Sequence, residues 1–143
     1  MATERRAEVT WRGSLTEGSG TIRSTTSGKL GEQPVSWVNR SEDNPDATSP
    51  EELIAAAHAA CFSMALSSGL AKAGTPAEEL NTSATVTFQP GEGITKIALT
   101  VEGRVPGTDA QAFEAAAQGA KENCPVSKAL ASVPEITLEA RLT

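Results

Sequence analysis

The sequence predicts an α+β fold with antiparallel strand pairing. Three observations carry that prediction. The first third alternates partly in twos, with β-branched residues between Gly-rich turns. A long apolar segment with strong helix-start signals fills the middle. Strand-like and helix-like stretches then follow one another to the end. In order, "AEVTWRGSL", "GTIRSTTSG" and "QPVSWVNR" read as strands, and "SEDNPDATSP" as a polar loop. In "SPEELIAAAHAAC", Ser49 is a good N-cap, Pro50 suits the first helical position and Glu52 completes a capping box. That helix should run from about Pro50 to Lys72 and stop before Gly74. Its middle is small and apolar on nearly every face, the pattern of a helix buried all round. A chain of 143 residues has difficulty enclosing such a helix alone, which points to a dimer. "NTSATVTFQPG" and "GITKIALTVEGRV" read as a hairpin, "DAQAFEAAAQGAKEN" as an amphipathic helix, and "CPVSKALAS" as a short helix with Pro125 at its first position. "EITLEARL" closes the chain as a strand whose partner is not legible. With no internal repeat and no low-complexity linker, residues 1–143 are expected to form a single domain.

Composition narrows the function classes. Aromatic residues make up only 3% and tyrosine is absent, so the core must come from Ala, Leu, Val and Ile. A net charge of -6 argues against sequence-independent nucleic-acid binding, which needs a basic surface. No basic run suits an anionic membrane surface. The start, "MATERRAEVTW", lacks the apolar core of a signal peptide, and no stretch is expected to span a bilayer. A cytoplasmic location is the expectation. Two cysteines are too few for a disulfide framework, so they are free thiols, ligands or redox groups.

The chemistry concentrates at those two cysteines and the chain's one histidine. Cys61 falls deep in the long helix, far from its N-terminus, where the helix dipole helps it little. Burial alone raises a thiol pKa, so Cys61 needs a positive partner to become a thiolate. His58, at i−3 on the same helix face, is one candidate, and an arginine from another segment is a stronger one because it stays charged. Cys124 stands just before Pro125, at or near an N-cap, where backbone N–H groups favour a thiolate. The plain alternatives are packing: free cysteine is among the most buried residue types, and a lone core histidine is more often structural than catalytic. Neither C-x-x-C nor H-x-x-x-H spacing occurs, so a metal site is not expected. The glycines of "GEGITKI" and "GKLGEQ" are turn residues and do not form a phosphate loop.

"NPDATSPEELIAAAHAACFSMALSSGLAKAG" and "AKENCPVSKAL" resemble the OsmC/Ohr family of thiol peroxidases. The hairpin "GITKIALTVEGRVPG" and the opening "VTWRGSLTEGSGTI" are similar to that family too, so most of the chain is covered. "AAHAACFS" resembles the OsmC branch more than the Ohr branch. The resemblance implies an OsmC-like fold, with antiparallel sheets around a long buried central helix in an intertwined dimer. It implies a peroxidase that reduces organic hydroperoxides, in oxidative or osmotic stress defence, without a cofactor or a metal.

By the resemblance, Cys61 matches the peroxidatic position and Cys124 the resolving one. Arg40 matches the branch's arginine, with Arg12 and Arg23 as alternatives, and Glu51 matches the carboxylate that holds it. Arg40 would then stabilise the Cys61 thiolate and the departing alkoxide, and Glu51 would fix the guanidinium. Cys61 would become a sulfenic acid and Cys124 would condense with it to an intrasubunit disulfide. A dithiol reductant would reopen the disulfide. In the family that is typically a lipoylated protein. The apolar run would favour bulky organic peroxides, with His58 as a packing residue beside the pocket. Glu51 and Cys61 are ten residues apart on one helix, about 15 Å along its axis. The expectation is therefore an obligate homodimer in which Arg40 and Glu51 of one chain serve Cys61 and Cys124 of the other. Two other classes compete: a thiol hydrolase with Cys61 as nucleophile and His58 as base, and a non-catalytic dimer that senses or binds hydroperoxides.

Overall fold

The computed structural model describes residues 1–42 and 46–143, and the centre of the polar loop, residues 43–45, lies outside the described residues. The chain divides into two compact units, Met1–Pro50 and Glu51–Thr143.

The first unit is a three-stranded antiparallel meander of β1 (Ala7–Arg12), β2 (Ser19–Thr25) and β3 (Gln33–Val35), in the order β1-β2-β3. Gly20 is required where the strands cross most closely: a Cβ there would lie 2.8 Å from the Trp11 ring and 2.9 Å from Val35. The Glu8 carboxylate takes ion pairs from both Arg6 and Arg23. "QPVSWVNR", expected as a strand throughout, stays extended only to Val35. Trp37–Ser41 forms a helical turn, α1, because extended Ser36 caps it and accepts the Asn39 N–H.

The second unit opens with α2 (Pro50–Lys72), whose bounds match those expected from sequence. The hairpin of β4 (Glu79–Gln89) and β5 (Gly93–Arg104) follows, then α3 (Ala110–Asn123), α4 (Pro125–Ala129) and β6 (Glu135–Leu142). Asp109 caps α3 by accepting the Ala112 N–H at 2.8 Å. The sheet order is β4-β5-β6, which makes β5 central. Its residues Ile97, Leu99 and Val101 are accordingly buried at every second position. Purely antiparallel pairing does not hold: β6 runs parallel to β5, from Lys96↔Glu135 to Gly103↔Leu142. The two helices between these strands form a crossover long enough to return the chain in the same direction.

The core gathers Phe62, Leu66 and Leu70 of α2, Leu99, Val101 and Val105 from β5 and its end, and Phe113, Ala117 and Ala120 of α3. Each large apolar side chain removed from water contributes about 1.5–3 kcal/mol. Gly103 makes room for one of them, since a Cβ would lie 2.5 Å from the Phe113 ring.

Within the chain, α2 is not buried all round. Glu51, His58, Phe62, Leu66 and Leu70 form its buried stripe, whereas Ala56, Ala57, Ala60, Met64, Ser67 and Ser68 are exposed, Met64 by 72%. A helix that is small and apolar on every side carries no polar face to mark which side is covered. The expectation that no stretch could span a bilayer also fails on length and composition. The 23 residues of α2 are long and apolar enough, at about 35 Å, against a hydrocarbon core of about 30 Å.

Candidate active site: a thiol pair between two helices

Cys61 stands at the midpoint of α2, and Cys124 is at once the C-cap of α3 and the N-cap of α4. Pro125 creates that junction. Its ring disfavours helical geometry at the preceding residue, and Cys124 takes φ −56, ψ 128, which breaks one helix and starts another. The Cys124 N–H still donates to Ala120 at 2.9 Å and its carbonyl accepts from Lys128 at 3.0 Å, so the residue is held from both sides. Both cysteines are free, and their sulfurs are 2.8 Å apart although 63 positions separate them in sequence. Cys124 is 0% exposed, whereas Cys61 is only half-buried.

A second contact runs beside the first. His58, one turn before Cys61, is fully buried, and its Nε2 lies 2.7 Å from the Ser127 hydroxyl oxygen. Moving three residues back along α2 and three forward from Cys124 gives the next meeting pair, so the two segments face one another in antiparallel register. Ser127 was not singled out from the sequence. Its signal was "CPVS", which places a hydroxyl at the third position of a Pro-started helix, where side chains reach back toward the cap.

Electrostatics separates the two thiols. Burial pushes the Cys61 thiol up, its hydrogen bond with Cys124 adds to this, the Val126 amide pulls the other way, and charge repulsion from Cys124 raises it further. Burial also raises Cys124, but there the Cys61 thiol, the Ser127 amide and hydroxyl and the Val126 amide together outweigh it, and the net shift is downward. No capping bond to the Cys124 sulfur meets hydrogen-bond geometry, so the amides act on it as oriented dipoles. More donors face Cys124 than Cys61. His58 is held below the ordinary histidine range by burial and stays neutral at pH 7.

Arg40 is in the last turn of α1, in the first unit, and is half-buried. Arg12 and Arg23 belong to that unit's sheet. Glu51 is in the first turn of α2 and is 6% exposed, about 15 Å along the helix from Cys61. Among the described residues, no group of three or more His, Cys, Asp or Glu is placed to hold a metal ion. Chemically, the pair can exchange between dithiol and disulfide. The two sulfurs differ in access, Cys61 being half-buried and Cys124 fully buried.

Comparison with known proteins gives a consistent answer. The family described as OsmC-like protein matches residues 42–139. Peroxiredoxin OsmC of Escherichia coli (strain K12) is 46% identical over 145 aligned positions, covering 99% of each chain. Among solved structures, an OsmC-like protein of Mycoplasma pneumoniae superposes with a TM-score of 0.68 at 16% identity, over 96% of this chain and 97% of that one. An organic hydroperoxide resistance protein of Elizabethkingia anophelis gives 0.65 at 23% identity, over 100% and 99%.

Proposed function

This chain belongs to the OsmC-like family, in its OsmC branch, and from that premise we propose that it reduces organic hydroperoxides through Cys61 and Cys124. It is a peroxiredoxin-type enzyme with a role in hydroperoxide defence. The observation that carries the finer reading is the 2.8 Å separation of the two sulfurs. The Cys61 thiolate attacks the distal peroxide oxygen and the O–O bond breaks. The alkoxide leaves and takes up a proton, and Cys61 becomes a sulfenic acid. The Cys124 thiolate then attacks that sulfur, an S–S bond replaces the S–O bond, and hydroxide leaves to become water. A dithiol, in this reading that of a lipoylated protein, returns both sulfurs to thiols by exchange.

The cation of α2, Lys72, stands eleven residues from Cys61 at the far end of the helix, and the Cys61 thiol is raised by burial, so the attacking thiolate needs a cation from elsewhere. Arg40 held by Glu51 is the proposed source. The exposed stripe Ala57, Ala60, Met64 and Ser67 of α2 supports the proposed way of supplying it, through a second copy of the chain. In that obligate homodimer the α2 helices pack antiparallel, and each site combines the cysteines of one chain with Arg40 and Glu51 of the other. The whole chain then acts as one OsmC-like domain in the cytoplasm. Titration with an organic hydroperoxide while counting free thiols tests the reading. A peroxidase loses two thiols per chain, and a dithiol restores both. The thiol-hydrolase and binding-dimer readings predict no rapid loss.

A further inference from the structure

We propose that His58 and Ser127 are positioning residues for disulfide formation: their buried hydrogen bond pins the first turn of α4 against α2 and so keeps Cys124 aimed at Cys61. This deepens the peroxidase reading and rests on it for the identity of Cys124 as the resolving cysteine.

The need for a pin follows from how Cys124 is held. Its backbone leaves helical geometry at φ −56, ψ 128, so α3 does not dictate where α4 goes. On the α3 side the chain is anchored by Phe113, Ala117 and Ala120, all in the core. On the α4 side the anchor is different. Of the five residues Pro125–Ala129, Ser127 is the one that is buried, and its side chain is polar. Val126 is half-buried, and Pro125, Lys128 and Ala129 are exposed. The Ser127 hydroxyl oxygen lies 2.7 Å from Nε2 of the fully buried His58.

The pin stands close to the sulfurs, which are 2.8 Å apart and must close to about 2.05 Å in a disulfide. It lies three residues from Cys61 on α2 and three from Cys124 along α4, about 5 Å away on each. A shift of α4 there reaches the sulfurs nearly undiminished, and a misplacement of about 1 Å can cost about 10²-fold in rate. Removing either partner drives such a shift. Among the described residues, His58 Nδ1 already has no hydrogen-bond partner. Without the Ser127 hydroxyl both ring nitrogens would be buried and unpaired, which is costly, and α4 would move off α2 to admit water. Without the imidazole, the Ser127 hydroxyl is stranded in the same way. Both partners are neutral at pH 7, since burial keeps His58 below its ordinary range, so the bond carries no charge that the changing sulfurs would attract or repel.

Dithiodipyridine tests the pin without peroxide. The Cys61 thiolate attacks the reagent, one thiopyridone leaves, and Cys61 keeps the other half as a mixed disulfide. Cys124 then attacks the Cys61 sulfur, the protein S–S bond forms, and a second thiopyridone leaves. The first phase scales with reagent concentration and the second does not. Ser127→Ala and His58→Leu should each slow the second phase about tenfold, the rate equivalent of one lost buried hydrogen bond. Ser127→Thr and His58→Gln, which can keep the bond, should stay near the parent rate. A double variant with Ser127→Ala and His58→Leu should be no slower than the slower single one, because the two act as one unit. The slowing should persist on the high-pH plateau of the second phase, where Cys124 is wholly ionised. Rates taken well below each variant's melting temperature exclude unfolding. An unchanged second phase in Ser127→Ala overturns the proposal, as do single effects that multiply in the double variant. So does slowing that vanishes on the plateau, which would make the pair a charge stabiliser, or a His58→Gln protein as slow as His58→Leu. Second phases that respond as expected while an organic hydroperoxide consumes no thiol uphold the pin and sink the peroxidase reading instead.

Discussion

Replacing Cys124 by serine changes one atom at the centre of the site, and the consequence can be scaled from the geometry. Two sulfurs 2.8 Å apart are already closer than the near-attack distance of about 3–3.5 Å, at which effective concentrations reach about 10⁵ M or more. A soluble thiol at millimolar concentration competes at a disadvantage of about 10⁸. If reorientation in the buried site costs a factor of about 10⁴, the internal disulfide still forms about 10⁴ times faster than any external one. In Cys124→Ser that route is gone. The first equivalent of organic hydroperoxide should be consumed at near the parent rate, with loss of one thiol. Mass spectrometry should then show Cys61 sulfenic acid, captured by a dimedone-type reagent, and further peroxide should drive it to the sulfinic acid. The parent protein should instead lose two thiols, trap nothing, and recover both with a dithiol. Cys61→Ser should consume no peroxide, because Cys124 is 0% exposed and no oxidant reaches it. A Cys61→Ser protein that turns over normally, or a Cys124→Ser protein that dithiol recycles like the parent, would refute the assignment of the two roles.

Three other perturbations separate the forces at work. His58 has a folded pKa below its ordinary value of 6.5, so the folded state binds fewer protons there than the unfolded chain. Its contribution to stability is complete above about pH 6.5 and declines as pH falls below that value toward the folded pKa. Melting curves from pH 8 to 5 should therefore fall more steeply for the parent than for His58→Gln, and parallel curves would contradict the neutral buried imidazole. Gly103→Ala should destabilise by about 1–3 kcal/mol in a denaturant titration, as overpacking does, because its Cβ would stand 2.5 Å from the Phe113 ring. No loss would mean that the ring has room to move. Met64→Glu, on the exposed stripe of α2, should convert the proposed dimer to monomer in sedimentation and abolish peroxide turnover. A monomer that keeps full activity would remove the need for a second chain.

Much was legible in local chemistry. Pro50 at the first position and Gly74 beyond the end delimit α2 without any tertiary information, because helix ends are set by backbone groups within one turn. Pro125 likewise marks a helix start and places Cys124 at its cap. The motifs around the cysteines identified the family, since they carry the chemistry in contiguous residues. Other features depend on what meets what across long separations. Ser36 ends β3 and starts α1, which the β-rich "QPVSWV" conceals. The parallel pairing of β6 with β5 arises from a crossover whose direction no alternation pattern encodes. The uniform surface of α2 says that it is apolar everywhere, and only the packing of Phe62, Leu66 and Leu70 against β5 and α3 selects the covered side. Most of all, the contact between His58 and Ser127 joins residues 69 positions apart through a hydrogen bond that works over less than 3 Å. Sequence supplies the donor and the acceptor, and tertiary packing alone brings them within that reach.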